Sequence, residues 1–501
     1  MIQNLLIALR LMGKMKAIFD NIKGTCEIEG KVPSRMVCEY DAKRKELKVA
    51  RDKIGEQSLY YAQLPSSVIV STELKDILPH LAYPKINILN LVQPIRYNYP
   101  VDLQQTWIEQ IKRVRAGEEL MIDQKGIRSR IYWKLTHQPT FTGTKEEALA
   151  EALRLLRKSV KECVETADGP VAVMLSGGID STSLAALTKE VQNEVHVISA
   201  GYSGNAYTAC DERPEARQFA EEKGLIYHEI ELTEADFESA LNELIPYLDE
   251  PCFDVSSMAQ FALYKKVAEM GYKVILSGLG GDELFYSYTQ HHREAEAIRL
   301  RHEFNQLYPV KIHWKEYVRF MMKHYKHVLL PNHPARIDES MLVDWTYNDY
   351  KRFAQDATLN GERFADVDVH VSLPETTTIQ GMYDFLASTF AVNMCVYLGN
   401  KLCQANGITL RCPILFPELW EFMDSLPMDM KFDITQSKRF QKEMMAGIIP
   451  DYILYAKKRG FSPPFEFIWQ MCGKYQYKHI EAKHCFFNSM IADQMIDNLL
   501  H

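Results

Sequence analysis

Four short apolar runs, VAVML (171–175), VHVISA (195–200), LIYHEI (225–230) and KVIL (273–276), alternate with helix-like segments such as TSLAALTKEV (182–191) and ERPEARQFAEEKG (212–224). An unbroken apolar run between helical segments is the pattern of a strand buried on both faces, and such strands join in parallel through crossover helices. The alternation therefore predicts an α/β region built on a parallel sheet with helices on both faces. A chain of 501 residues exceeds one ordinary core, so a second domain is expected. Residues 1 to about 135 supply it, with short strands at 47–50 and 68–71 and few long helices. The polar stretch THQPTFTG after RSRIYWKL (128–135) reads as a linker, which gives domains 1–138 and 139–501. A helix then starts sharply, because Thr144 and Glu147 have capping-box spacing and Leu149, Leu153, Leu156, Val160 and Cys163 follow at helical intervals. Beyond residue 286 the pattern is mostly helical and rich in Tyr, Phe and Met.

Bulk properties remove several function classes. The net charge is -8 and the pI about 6.1, with no basic footprint for nucleic acid. Ten cysteines occur without a CxxC pair, so neither zinc-ligand spacing nor a dense disulfide framework is present, and reduced thiols in a cytoplasmic protein are expected. No run of 18 apolar residues suggests a membrane span. The start, MIQNLLIALRLMGKMK, is broken by Arg10 and Lys14 and reads as an amphipathic helix. Six histidines between His291 and His327 lie in a charged helical stretch and read as ordinary surface or core residues.

Chemistry concentrates where strands end. In VAVMLSGGIDSTSL (171–184) a buried strand enters a glycine turn that opens a helix. Such a turn binds anions, because its N–H groups point outward and the helix dipole adds positive charge. Gly177 and Gly178 allow close backbone approach, and Ser176, Ser181 and Thr182 add donors. The carboxylate of Asp180 conflicts with an anion until Mg²⁺ bridges it to phosphate oxygens. A bare SGG would be only a tight turn; SGGxDS after a buried strand points to a phosphate site. VILSGLGGDELFYSY (274–288) repeats the device with Gly278, Gly280, Gly281 and Asp282. Two turns at the ends of parallel strands can face one crevice, where Asp180 and Asp282 would share one Mg²⁺.

The first turn resembles the PP-loop of the ATP pyrophosphatases, and the pair resembles the synthetase domain of the asparagine synthetase family. Further segments are similar in order along the chain: ARDKIGEQSLYY (50–61), STELKDIL (71–78), LDEPCFD (248–254), the R-x-P-x-L stretch from Arg411 and AKKRGFSPP (456–464). The resemblance implies a trimmed glutaminase-like (Ntn-hydrolase-like α+β) domain before a PP-loop synthetase domain with a helical C-terminal part. It implies an AMP-forming carbon–nitrogen ligase that uses ATP and Mg²⁺, adenylates a small-molecule or peptide carboxylate, and lets an amine or ammonia take the acyl group. It places Leu175, Ser176, Gly177, Gly178, Asp180, Ser181, Ser199, Gly278, Gly280 and Gly281 at the nucleotide, Asp180 and Asp282 at the metal, and Lys458 beside them as the catalytic cation. Lys438 is a weaker candidate for supporting charge, and Leu279, Glu250, Glu283 and Arg411 are placed around the substrate.

Two departures from the family pattern shape the expectation. Glutamine-dependent members begin Met-Cys, whereas this sequence begins Met1-Ile2-Gln3, so intrinsic glutaminase activity is expected to be absent. A separate ammonia-supplying subunit or a homodimer would be compatible with that. The slot held by Glu in familiar asparagine synthetases, and by Tyr in β-lactam-forming relatives, is Leu279, which neither donates nor accepts. A dedicated biosynthetic amide or lactam synthetase is the leading expectation. An ammonia-dependent asparagine synthetase, a thiolating or nucleotide-modifying PP-loop enzyme acting on tRNA, which the second motif argues against, and a non-catalytic nucleotide-binding protein are the alternatives.

Overall fold

The computed structural model describes residues 14–202, 211–252, 254, 256–288, 379–433, 435–456 and 483–500, with a few isolated positions between 315 and 363. The expected first helix lies largely outside these residues, as do the six histidines from His291 to His327 and Lys458. Its last residues depart from the expectation, because Met15 opens a strand.

The first part of the chain is an antiparallel sandwich. One sheet contains β1 (Met15–Asp20), β2 (Thr25–Gly30), β5 (Tyr60–Gln63), β6 (Ser67–Ser71) and β7 (Ile111–Arg113), in the order β2-β1-β6-β5-β7. The other contains β3 (Val37–Asp41), β4 (Glu46–Ala50), β8 (Glu118–Asp123) and β9 (Gly126–Ile131), in the order β3-β4-β8-β9. Period-two burial explains the layering. Met15, Ala17 and Phe19 of β1 and Val68 and Val70 of β6 meet Leu47 and Val49 of β4 and Leu120 and Ile122 of β8 in one cluster. The alternate residues Tyr60, Ala62 and Ile69 join a second core that continues into the rest of the chain. Between β6 and β7 runs α1 (Ile88–Tyr97), which ends at Asn98 in a left-handed conformation.

Residues 132–144, which contain the stretch read as a linker, form no regular element but are docked. The N–H groups of Thr136 and His137 each donate to Asp424 Oδ2 at 2.9 Å, and those of Thr140 and Phe141 donate to the Ser425 carbonyl at 3.0 Å. His137 Nδ1 lies 2.8 Å from Asp424, and its Nε2 lies 3.0 Å from Asp384. Helix α2 (Lys145–Glu165) follows with its capping box formed: Glu147 N–H donates to Thr144 Oγ1 at 3.2 Å and Thr144 N–H to Glu147 Oε2 at 2.8 Å. Thr144→Ala is expected to lower stability by about 1 kcal/mol, read from the urea midpoint. An unchanged midpoint would mean that packing alone holds the helix start.

The parallel sheet contains β10 (Val171–Met174), β11 (His196–Tyr202), β12 (Ile226–Leu232), β13 (Val274–Leu276) and β14 (Thr409–Arg411), in the order β12-β11-β10-β13-β14. Helices α3 (Ile179–Val191), α4 (Arg213–Lys223), α5 (Glu234–Leu244) and α6 (Ser256–Glu269) connect the first four strands. The chain winds outward from β10 to β12, then returns to the other side of β10 with β13. That reversal leaves a crevice outside the carboxyl ends of β10 and β13, the usual ligand position in open α/β sheets. The other described helices are α7 (Gly281–Leu284), α8 (Ile379–Leu386), a π-helical stretch over Ala387–Val396, α9 (Tyr397–Ala405), α10 (Pro417–Ser425), α11 (Met428–Lys431), α12 (Arg439–Met445), α13 (Asp451–Leu454) and α14 (Lys483–Leu500), the last of which packs on α1.

Candidate active site

Both glycine turns lie at that crevice. Buried Leu175 continues from β10, its N–H donating to the Ile198 carbonyl at 2.8 Å. The chain then turns at Gly177, whose φ of +83° favours glycine. The serines shape the turn: Ser176 N–H donates to Ser181 Oγ at 3.1 Å, Gly178 N–H donates to Ser176 Oγ at 3.3 Å, and Ser181 Oγ donates to the Gly178 carbonyl at 3.1 Å. Gly178 caps α3, which places Asp180 in the first turn of that helix. Ser199 is buried in β11.

The second turn follows β13 in the same way. Ser277 N–H donates to the Arg411 carbonyl at 2.9 Å, which ties the turn to β14. Gly280 has a φ of +89°, and a Cβ there would stand 2.4 Å from Leu415 Cδ2. The two turns touch: a Cβ on Gly278 would stand 2.7 Å from Asp180 Cβ, and one on Gly281 would stand 2.3 Å from Asp180 Oδ1. Gly281→Ala should therefore displace the Asp180 carboxylate, which a crystal structure of the variant checks; an unmoved carboxylate would show that the methyl is accommodated elsewhere.

The carboxylates of Asp180 and Asp282 converge on one cation. Lys438 Nζ pairs with Asp180 Oδ2 and lies 2.7 Å from Asp282 Oδ1. Gln441 Nε2 donates to the other Asp180 oxygen at 3.0 Å. Lys438 is 5% exposed and caps α12 in a left-handed conformation, with φ of 55°. Burial opposes its charge, but the two carboxylates outweigh burial and raise the ammonium above its ordinary value. Two carboxylates drawn together around one positive charge form a hard-oxygen donor set of the kind that takes Mg²⁺. Gly281, where no side chain fits against Asp180, keeps the approach narrow.

The remaining predicted residues divide between this crevice and the junction with the sandwich. Glu283 is buried behind Asp282 and accepts from the Tyr288 hydroxyl at 2.7 Å. Burial pushes its carboxyl up to about 7; Asp282 adds to the rise, and Tyr288 and Lys438 moderate it. Leu279 packs over α9, within 3.3 Å of where a Cβ on Gly399 would stand. The π-helical stretch runs past this turn. Its Phe390 meets Tyr288 edge-on at 6.2 Å, and burial together with Glu283, Asp254 and Asp282 raises the Cys395 thiol. Such helical irregularities are frequent at functional sites.

Glu250 faces the junction instead. Arg113 of β7 grips it, with Nη2 2.5 Å from Oε1 and 2.6 Å from Oε2, and the Tyr60 hydroxyl donates at 3.1 Å. Neighbouring Asp249 pairs with Lys401, whose Nζ also lies 2.8 Å from Glu73. The Arg411 side chain is likewise on the junction side, near the Glu56 carboxyl, which burial pushes up to about 7 while Arg35 and Arg411 moderate the rise. Lys438 in its bridging role, Gln441 and Arg113 were not singled out by spacing. Lys438 stands 258 residues from Asp180 and Arg113 stands 137 from Glu250, so no local pattern joins them.

Comparison with known proteins agrees with this arrangement. The glutamine amidotransferase domain family matches residues 36–133, within the sandwich. An amidase of Gibberella zeae, chry2, is 24% identical over 496 residues, covering 85% of this chain and 69% of the relative. An amidase of Penicillium rubens, chyE, is 23% identical over 471 residues, with 85% and 69% covered. The glutamine-hydrolyzing asparagine synthetase 3 of Bacillus subtilis is 24% identical over 452 residues, with 84% of this chain and 65% of the relative covered. The asparagine synthase family matches residues 151–493, a span that begins in α2, takes in both glycine turns and ends in the last described helix. With more than half of its length inside that match, the chain belongs to the asparagine synthase family.

Proposed function

We propose that the chain is an AMP-forming amide ligase: it adenylates a substrate carboxylate with release of pyrophosphate, and an amine or ammonia then takes the acyl group. One observation carries the reading. The acids of two phosphate-type turns, on neighbouring parallel strands, meet at a single buried positive charge. The N–H groups of residues 176–178 and the start of α3 suit a polyphosphate, and ATP is the substrate that such turns bind in the family. Asp180 and Asp282 would hold magnesium, which supplies charge neutralisation at phosphate oxygens when bound with ATP. Lys438 adds positive charge where the leaving pyrophosphate becomes most negative. Lys458, from the similar K-x-G-F segment, is proposed as a second cation at the acyl centre.

Leu279 narrows the choice of substrates. It is packed against α9 and cannot handle an incoming amine by hydrogen bonding. The reading is therefore a dedicated carboxylate–amine pair, with the division near residue 138 separating a supporting sandwich from the ligase proper.

The test supplies the purified chain with Mg-ATP and a panel of carboxylates beginning with aspartate, with ammonium, glutamine or primary amines in parallel. AMP, pyrophosphate and amide are scored together. Carboxylate-dependent pyrophosphate exchange followed by amide formation supports the reading. Asparagine formed efficiently from glutamine would replace the dedicated pair with ordinary asparagine synthesis, and ADP as the product would refute AMP-forming chemistry.

A further inference from the structure

The ammonium of Lys438 lies between the two carboxylates that would hold a divalent ion. It pairs with Asp180 and stands 2.7 Å from Asp282, and the residue is 5% exposed. A residue outside glycine adopts a left-handed backbone only where the surroundings impose it, and Lys438 does so at a φ of 55° to enter the crevice. Gln441, one helical turn further along α12, fixes the remaining Asp180 oxygen with a neutral donor at 3.0 Å. The two carboxylates are thus already drawn together and neutralised in part by the chain itself.

An ammonium and a divalent ion compete for the same two carboxylate oxygens, because their mutual repulsion at such short separations weakens the hold of each. The triphosphate of ATP offers Lys438 an alternative set of anionic oxygens, and a lysine is long and flexible enough to exchange one set for the other. We propose that Lys438 is the built-in counter-ion of the Asp180–Asp282 pair and must be drawn off by phosphate before a divalent metal can bind there, so that metal enters with the nucleotide and not ahead of it. This rests on the Mg-ATP reading of the site and adds to it an order of binding and a gating residue. Lys438 acts here as a positioning residue: it keeps the carboxylates together until phosphate arrives, then follows the phosphate.

The experiment measures Mn²⁺ binding by electron paramagnetic resonance, using the full chain with and without α,β-methylene ATP. Wild type is expected to bind Mn²⁺ weakly alone and tightly with the nucleotide. Lys438→Met is expected to bind Mn²⁺ without nucleotide at least about tenfold more tightly than wild type, because a competing charge has gone. Millimolar Mg²⁺ should raise the melting temperature of that variant and leave wild type unchanged. Lys438→Gln keeps a polar chain between the carboxylates, guards against loss of fold, and should show the same gain. Neither readout requires turnover. Equal Mn²⁺ affinity in wild type and both variants without nucleotide, alongside tight binding with it, overturns the proposal and leaves the Mg-ATP reading standing. Absence of Mn²⁺ binding from every protein even with nucleotide overturns both.

Discussion

Asparagine in place of Asp180 is expected to reduce pyrophosphate exchange by at least about a hundredfold, the scale seen when a preorganised charge contact to a reacting group is lost. The substitution keeps the shape of the side chain, so the turn and its serine hydrogen bonds remain. What changes is charge: Lys438 loses one of its two carboxylates, and a metal would keep only Asp282. Asp282→Asn removes the other half of the pair and should behave alike. The double variant should be little worse than either single one, because the two acids act as a unit and such effects do not add. Exchange rates for the three proteins measure this directly. Independent, multiplying losses would mean that the acids hold different groups.

Arg113→Met is expected to destabilise the chain by about 3–5 kcal/mol, the usual consequence of removing one member of a buried ion pair. The methionine can fill much of the space, but Glu250 would remain buried with the Tyr60 hydroxyl, among the described residues, as its remaining side-chain donor. Adding Glu250→Gln removes the stranded charge and should restore a substantial part of the loss. Urea unfolding of the two single variants and the double variant gives the coupling. If Arg113→Met alone costs less than about 1 kcal/mol, the pair is no stronger than a surface contact.

These two sites show how far the sequence could be read. The turns were legible because their chemistry is local: a strand, two glycines, an acid and a helix start fall within 14 residues in VAVMLSGGIDSTSL. Their adjacency was also legible, since strand–helix alternation limits how the sheet can wind. The cation was legible only as a supporting charge: Lys438 was named, but its place between the two acids depends on α12 bringing it back against Asp180 through an uncommon backbone conformation. Glu250 illustrates the opposite difficulty. Its segment, LDEPCFD, resembles a family motif and was placed beside the substrate, yet the carboxylate is held by β7 of the sandwich. Side-chain direction across a domain contact depends on a partner 137 residues earlier, which no periodicity reports. The polar stretch was read as a linker from its composition, but its attachment to Asp424 required the fold.

The contact between sandwich and parallel sheet has a consequence for modularity. A boundary drawn at residue 138 looks like a place to cut, yet the partners do not separate there. Released from residues 14–138, Glu250 would lose Arg113 and Tyr60, Lys401 would lose Glu73, and Trp107 would no longer cover the Asp249 carbonyl that it contacts at 2.8 Å. The sandwich is therefore not a transplantable cassette. Exchanging it with that of a relative would need matched charges on both sides, so the two halves must change together or not at all.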